Sequence, residues 1–230
     1  MEDLLQSSLF AGVMLSFLIY ELGVKLRRKF NYALMNPLLI AIVVIIGILV
    51  LFDIDYETYH AGAKYLSYFL TPATVCLAVP LYEQFELLKK NVWAILTGIL
   101  SGALISAVCV LVLSALLRLS HEEYVTLLPK SITTAIGMGV SEELGGIVTI
   151  TVAVIIITGV LGNIMAEMIC RIFRIEEAVA KGIAIGSSAH AVGTARAMEM
   201  GEVEGAMSSL SIAVSGLITV FLAPIFANFL

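Results

Sequence analysis

The chain has 230 residues, 60% of them hydrophobic and 13% charged, with a net charge of -5 and a mean hydropathy of +1.03. This composition excludes an ordinary soluble domain, and the sequence holds no phosphate loop, zinc motif or basic patch for nucleic acid. The net charge speaks to solubility and partners rather than to fold.

Six uncharged runs, at 4–20, 33–52, 65–82, 91–117, 144–166 and 205–230, approach or exceed the roughly 20 apolar residues that cross a bilayer. They are continuous rather than alternating, which favours helices over a membrane β-barrel. The first run follows Glu2 and Asp3 instead of the basic start of a cleaved leader, and its cations (Lys25, Arg27, Arg28, Lys29) come after it, so it is expected to stay as the first span. Because cytoplasmic loops are enriched in Lys and Arg, this cluster, Lys89-Lys90 and the group Arg171, Arg174 and Lys181 are placed inside. The acidic loops at 53–57 and 121–123 are then outside. Runs 33–52, 65–82 and 91–117 alternate in direction. A crossing at 145–171 must end inside, so the stretch 129–141, with Pro129, Gly137 and Gly139, enters and leaves on one side as a re-entrant segment. Crossings at 182–197 and 205–230 follow. The expected fold is an all-α polytopic membrane protein with about seven spans plus a re-entrant segment.

With these directions, spans two to four run opposite to the last three, and each triplet has an interrupted helix in its middle. The expected organisation is an N-terminal span and basic loop (1–32), a first inverted repeat (33–118), a loop and re-entrant segment (119–145) and a second inverted repeat (146–230). The interruptions carry Pro72 and Pro80 in the first half, and Gly186 and Gly193 in the second. Paired broken segments in two inverted halves mark the binding site of many transporters. A proline removes a backbone donor and clashes with the carbonyl four residues earlier. A simple kink is the alternative.

Polar groups near these breaks are the candidate substrate contacts: Thr71 and Thr74 in the first half, Ser187, Ser188, His190, Thr194 and Arg196 in the second, and Lys130, Ser131 and Thr133 in the re-entrant segment. Free N–H groups at half-helix ends suit an anion. His190 is either a proton acceptor or a helix-packing residue; Arg196 is either an anion ligand or an interfacial anchor. Glu142 and Asn163 are candidates for a coupling ion, Glu142 alternatively as a helix cap, and Glu167 is expected to pair with Arg171. Small residues at Gly98, Ser101, Gly102 and Ser106 read as helix packing. Cys76, Cys109 and Cys170 have no metal spacing. No metal or cofactor is expected.

The stretches Asn36-Pro-Leu-Leu-Ile40, Leu70-Thr-Pro-Ala-Thr-Val-Cys-Leu-Ala-Val-Pro-Leu-Tyr82, Pro129-Lys-Ser-Ile-Thr-Thr-Ala-Ile-Gly-Met-Gly139 and Ser188-Ala-His-Ala-Val-Gly-Thr-Ala-Arg-Ala-Met-Glu199 resemble the LrgB/CidB family of membrane proteins along nearly the whole chain. The resemblance implies a small holin-like LrgA/CidA-like membrane partner, a link to cell lysis and murein hydrolase export, and kinship with plastid glycolate/glycerate and bacterial pyruvate carriers. It brings no catalytic residues, and no enzyme is expected; a hydrolase built on Ser187 or Ser188 with His190 lacks a positioned nucleophile and base. The expected function is ion-coupled transport of a small monocarboxylate, a small organic anion, across the cell membrane. The alternative is an antiholin or holin-like regulator. The bilayer, the LrgA/CidA-like protein and a second copy of the chain are the expected partners, and nucleic acid is not.

Overall fold

Helix starts are set by local chemistry. Asn36 Oδ1 accepts hydrogen bonds from the N–H groups of Leu38 (2.9 Å) and Leu39 (3.2 Å), and Pro37 stands in the first turn, where its missing donor leaves nothing unmet. The computed structural model describes residues 10–30, 36–76 and 78–230, and of residues 67, 70, 71, 74, 78, 80 and 81 the backbone alone. All regular structure in the described residues is helical. The chain forms two compact units, residues 1–76 and 77–230.

The first unit contains α1 (Ala11–Phe30), α2 (Pro37–Leu51), α3 (Tyr56–Ala63), a 3-10 helix (Lys64–Phe69) and α4 (Leu70–Cys76). Glycines let α1 touch its neighbours backbone to backbone: a Cβ on Gly23 would lie 2.9 Å from Pro37 Cα, and one on Gly12 would lie 2.5 Å from Ala63 N. Beside this contact the Ser16 hydroxyl donates to the Gly12 carbonyl (2.7 Å), so the Tyr59 hydroxyl, 2.8 Å away, donates to Ser16. The run 65–82, expected as one crossing, is divided among the 3-10 helix, α4 and a short α5 (Ala78–Glu83). Pro72 and Pro80 fall in the first turns of α4 and α5, the positions where proline is tolerated. Leu77 between these helices lies outside the described residues.

The second unit continues with α6 (Phe85–Leu117), α7 (His121–Leu127), α8 (Thr134–Glu143), α9 (Val148–Ile172), α10 (Ala178–Met200) and α11 (Glu202–Ala227). Helix α6 has 33 residues, about 50 Å. It kinks at Asn91 (φ -115°, ψ 15°), whose side-chain amide donates to the Leu87 carbonyl at 2.9 Å. Lys89 and Lys90, expected in a loop, belong to the helix on the N-terminal side of this kink. A left-handed Arg118 ends α6, and a Ser120–Glu123 capping box starts α7.

The segment expected to be re-entrant, 129–141, is non-helical backbone around Pro129 to Thr133 followed by α8, and it comes after α7, whose first turn is the 121–123 stretch expected as a loop. With 7 and 10 residues, α7 and α8 are too short to cross a bilayer. Irregular backbone at such depth persists where protein covers it, and Tyr124, Val125, Ile132 and Ser141 are almost wholly buried. Hydroxyls pin the pair to α9: Thr151 donates to the Thr126 carbonyl (2.9 Å), the Ser141 and Thr151 hydroxyls are 2.7 Å apart, and the Ile147 N–H donates to Thr126 Oγ1 (2.8 Å).

Among the described residues three helices, α6, α9 and α11, are long and apolar enough to span a membrane, and α2 adds a 15-residue apolar helix. The other expected crossings fall on shorter or more polar helices. Helix α10 is 23 residues long but carries Lys181, His190, Arg196 and Glu199. The result is an all-α polytopic membrane protein.

Positive loops should orient this chain. Single cysteines at Lys89 and Arg174 are therefore expected to react with impermeant reagents only from the cytoplasmic side, and one at Glu122 only from outside. Labelling of positions 89 and 122 from the same side would remove the basis for the inverted repeat.

Candidate functional site

Helix α10 breaks between Gly186 and Gly193, where an interruption was expected, at His190 (φ 42°, ψ -141°). Non-glycine residues rarely adopt this conformation, at a cost on the order of 1–3 kcal/mol when neighbours enforce it. The enforcing neighbour is α9. His190 is 4% exposed, and its Nε2 lies 2.9 Å from the Ile155 carbonyl. A carbonyl only accepts, so Nε2 carries the proton and donates. The ring rests on Gly159, where a Cβ would stand 2.6 Å from His190 Cε1, and a Cβ on Gly162 would collide with that of Ala189. Ile155, Gly159 and Gly162 lie at i, i+4 and i+7, one face of α9.

Past the break the chain is held by polar side chains. Asn163 Nδ2 donates to the Val192 carbonyl (2.7 Å), and Thr194 Oγ1 donates to the His190 carbonyl (3.0 Å) and lies 2.7 Å from Ser208 Oγ on α11. Arg196 pairs with Glu167 of α9 (2.6 Å) and with Glu199 on its own helix. Glu167 thus pairs with Arg196, not with Arg171 as the sequence suggested, because the break turns the second half of α10 toward α9.

Before the break, the first half of α10 forms one wall of a cavity of about 1020 Å³, opposite α6, with the α7–α8 link and α9 completing it. Ser187 and Ser188 line it, with their hydroxyls donating to the Ile183 carbonyl (2.7 Å) and the Ala184 carbonyl (2.6 Å) of their own helix. Lys130 also lines the cavity; its Nζ donates to Ser131 Oγ (3.0 Å) and to Ser106 Oγ of α6 (3.3 Å), and the two hydroxyls are 3.0 Å apart. Among the described residues no carboxylate lies within 4.0 Å of this ammonium. An ammonium set among hydroxyls, with no carboxylate in ion-pairing reach among the described residues, is where an anion is stabilised.

The structure thus brings Lys130, Ser131, Ser187 and Ser188 to one cavity. His190, Thr194 and Arg196 are instead engaged in holding α10 to α9 and α11. Thr133 is the residue before α8, without a side-chain cap bond, and Glu142 is exposed at the other end of that helix. Asn163 is tied to Val192. Gly186 is a packing contact, where a Cβ would run into the Ser208 carbonyl, and Gly193 lies against Ala189 and Ile185. The side chains of Thr71, Thr74 and Pro80 lie outside the described residues, while Pro72 is exposed. Sequence reasoning read Ser101 and Ser106 as packing and Cys109 as an ordinary apolar position, yet all three line the cavity. The available signal was periodicity: Gly98, Gly102 and Ser106 recur every four residues on one face.

A helical membrane protein with a largely apolar cavity that holds one lysine, beside a broken helix, is a broad class, and comparison with known proteins narrows it. The LrgB-like family matches residues 16–229. The holin-like protein CidB of Staphylococcus aureus (strain Mu50) is 38% identical over 225 residues, 98% of this chain and 97% of that protein. The antiholin-like protein LrgB of Bacillus mycoides (strain KBAB4) is 37% identical over 220 residues, 95% of this chain and 96% of that protein. This chain belongs to the LrgB-like family. No solved structure matches it.

The geometry at His190 sets opposing effects on stability. Removing the ring loses a hydrogen bond of about 0.5–1.5 kcal/mol. Glycine at φ 42° relieves strain on the order of 1–3 kcal/mol but adds unfolded-chain entropy of about 0.4–1 kcal/mol. Alanine loses the ring and keeps the strain. His190→Gly is therefore expected to melt at a higher temperature than His190→Ala in detergent, and the reverse order would show that the break is not maintained in the folded protein.

Proposed function

We propose that the protein acts in the cell membrane as a holin-like or antiholin-like regulator, and that it does so without catalysing a reaction. The supporting observation is the 38% identity with a relative of holin-like description, across almost the full length of both chains. The partner in this reading is a small LrgA/CidA-like membrane protein, and the controlled event is the release of murein hydrolases. A second copy of the chain is a further proposed contact.

A second reading is favoured by one feature of the second unit, the cavity in which Lys130 faces hydroxyls with no carboxylate within 4.0 Å among the described residues. In this reading the protein is a secondary transporter of a small monocarboxylate of the pyruvate, glycolate or glycerate type. Coupling is to protons or sodium, with Glu142 and Asn163 as the coupling-ion candidates. The two readings differ in what moves: a regulator alters the action of another membrane protein, and a carrier moves solute by itself.

Two measurements separate them. Expressed in bacteria with and without a small holin-like protein, the chain is expected to shift the onset of lysis and the hydrolase activity released, read by turbidity and zymography. Reconstituted alone in liposomes, it is expected to take up labelled pyruvate above protein-free vesicles if it is a carrier. Uptake without any effect on lysis would overturn the regulator reading, and an effect on lysis without uptake would overturn the carrier reading.

A further inference from the structure

We propose that Lys130, positioned by Ser106 and Ser131, is the charge-selecting residue of the second-unit cavity, admitting singly charged anions whose binding head carries only acceptor atoms and turning away dianions and cations. The proposal rests on the carrier reading and assigns roles within that site.

The argument is a count of donors. An ammonium has three N–H bonds and accepts nothing. Two of the Lys130 protons are directed at Ser131 Oγ (3.0 Å) and Ser106 Oγ (3.3 Å), which leaves one for an incoming group. The two serine oxygens, 3.0 Å apart, share a single hydrogen bond, so one donates to the other and the second keeps its proton free. Ser187 and Ser188 direct their protons to the Ile183 and Ala184 carbonyls. What this cluster presents to the cavity is therefore one charged N–H and one neutral O–H, a pair of donors suited to the two oxygens of a carboxylate.

The same count limits the charge. One positive charge without a carboxylate in ion-pairing reach balances one negative charge. Much of the remaining wall is apolar, including Ile105, Leu161, Met165 and Ile183, and the other charged side chain that lines the cavity, Glu177, is itself a carboxylate, so the wall offers a second carboxylate no counter-charge. Burying such a charge unpaired is strongly unfavourable, so discrimination comes from the penalty on the wrong ligand as much as from attraction to the right one. A cation meets the ammonium and is repelled. Ser106 has a different part. It sits on α6 while Lys130 and Ser131 are in the α7–α8 link, so its hydroxyl fixes the ammonium across two elements. It is a positioning residue, in a place that a packing role alone would fill equally well with alanine.

The test uses the purified full chain in liposomes, with labelled pyruvate as the monoanion, labelled malonate as the dianion, and folding checked by thermal melting. The unsubstituted protein is expected to take up pyruvate well above malonate. Lys130→Met is expected to lower pyruvate uptake about ten- to a hundredfold, the loss of a hydrogen bond to a charged group. In a background with Cys76, Cys109 and Cys170 replaced by alanine, Lys130→Cys should lose uptake to the same degree and regain it after reaction with aminoethyl methanethiosulfonate, which rebuilds an ammonium, but not with the neutral methyl reagent. Ser106→Ala should raise KM with little change in kcat, and Ser106→Thr should restore it. Wild-type uptake with Lys130→Met or Lys130→Cys folded and equally active would overturn the charge-selecting role and leave the carrier reading standing. If the unsubstituted chain takes up neither anion, it is the carrier reading that fails. Equal uptake of malonate and pyruvate overturns the valence argument.

Discussion

The contact between the His190 ring and the glycine face of α9 governs the rest of the second unit. A helix cannot be broken in a membrane unless the groups at the break are enclosed, and here the enclosure is built from what α9 lacks. Gly159 has no side chain where the imidazole lies, and Gly162 has none where Ala189 packs. The ring's hydrogen bond to the Ile155 carbonyl then fixes its direction. From that one seat the two halves of α10 diverge in their surroundings. The half before it presents Ser187 and Ser188 to the cavity, and the half after it carries Arg196 to Glu167.

The same economy of side chains recurs between α10 and α11. A Cβ on Gly182 would stand 2.6 Å from the Glu204 carbonyl oxygen, and one on Gly186 would run into the Ser208 carbonyl. Buried hydroxyls of Ser208, Ser211 and Ser215 face this region, with Ser211 and Ser215 donating to carbonyls of their own helix. Lipid gives apolar helices little reason to associate, so close backbone approach and dispersion do the holding. The pairing of α10 with α11 thus combines these small-residue contacts with a buried apolar cluster in which Ile183 of α10 packs with Met207 of α11 and with Ile95 and Ile99 of α6.

Much of this architecture was legible in the sequence because it is written in local chemistry. Long uncharged runs gave α6, α9 and α11, and the Gly- and Ser-rich stretch around His190 gave the broken helix. Pro129 and its neighbouring glycines marked the short helix pair. The pairing of charges was not legible. Arg171 stands four residues from Glu167 and was its natural partner by helical spacing, whereas Arg196 reaches Glu167 only because α10 turns at His190. The cavity wall was hidden for a related reason: Gly98, Gly102 and Ser106 form the small-residue face expected of helix packing, and Gly102 does pack, with a Cβ there lying 3.1 Å from Ser187 Oγ. A face can pack along part of its length and border a cavity along the rest, and local spacing does not distinguish the two.

The kink at Asn91 gives α6 a property of its own. The long helix is two rods in series, a short amphipathic one bearing Glu86, Lys89 and Lys90 and a long apolar one. At the joint the Asn91 amide donates to the Leu87 carbonyl. Because the side-chain amide supplies a donor to that carbonyl, the axis changes direction at the joint without leaving the Leu87 carbonyl unmet. The charged end of α6 is thereby set off in direction from the uncharged length that borders the Lys130 cluster.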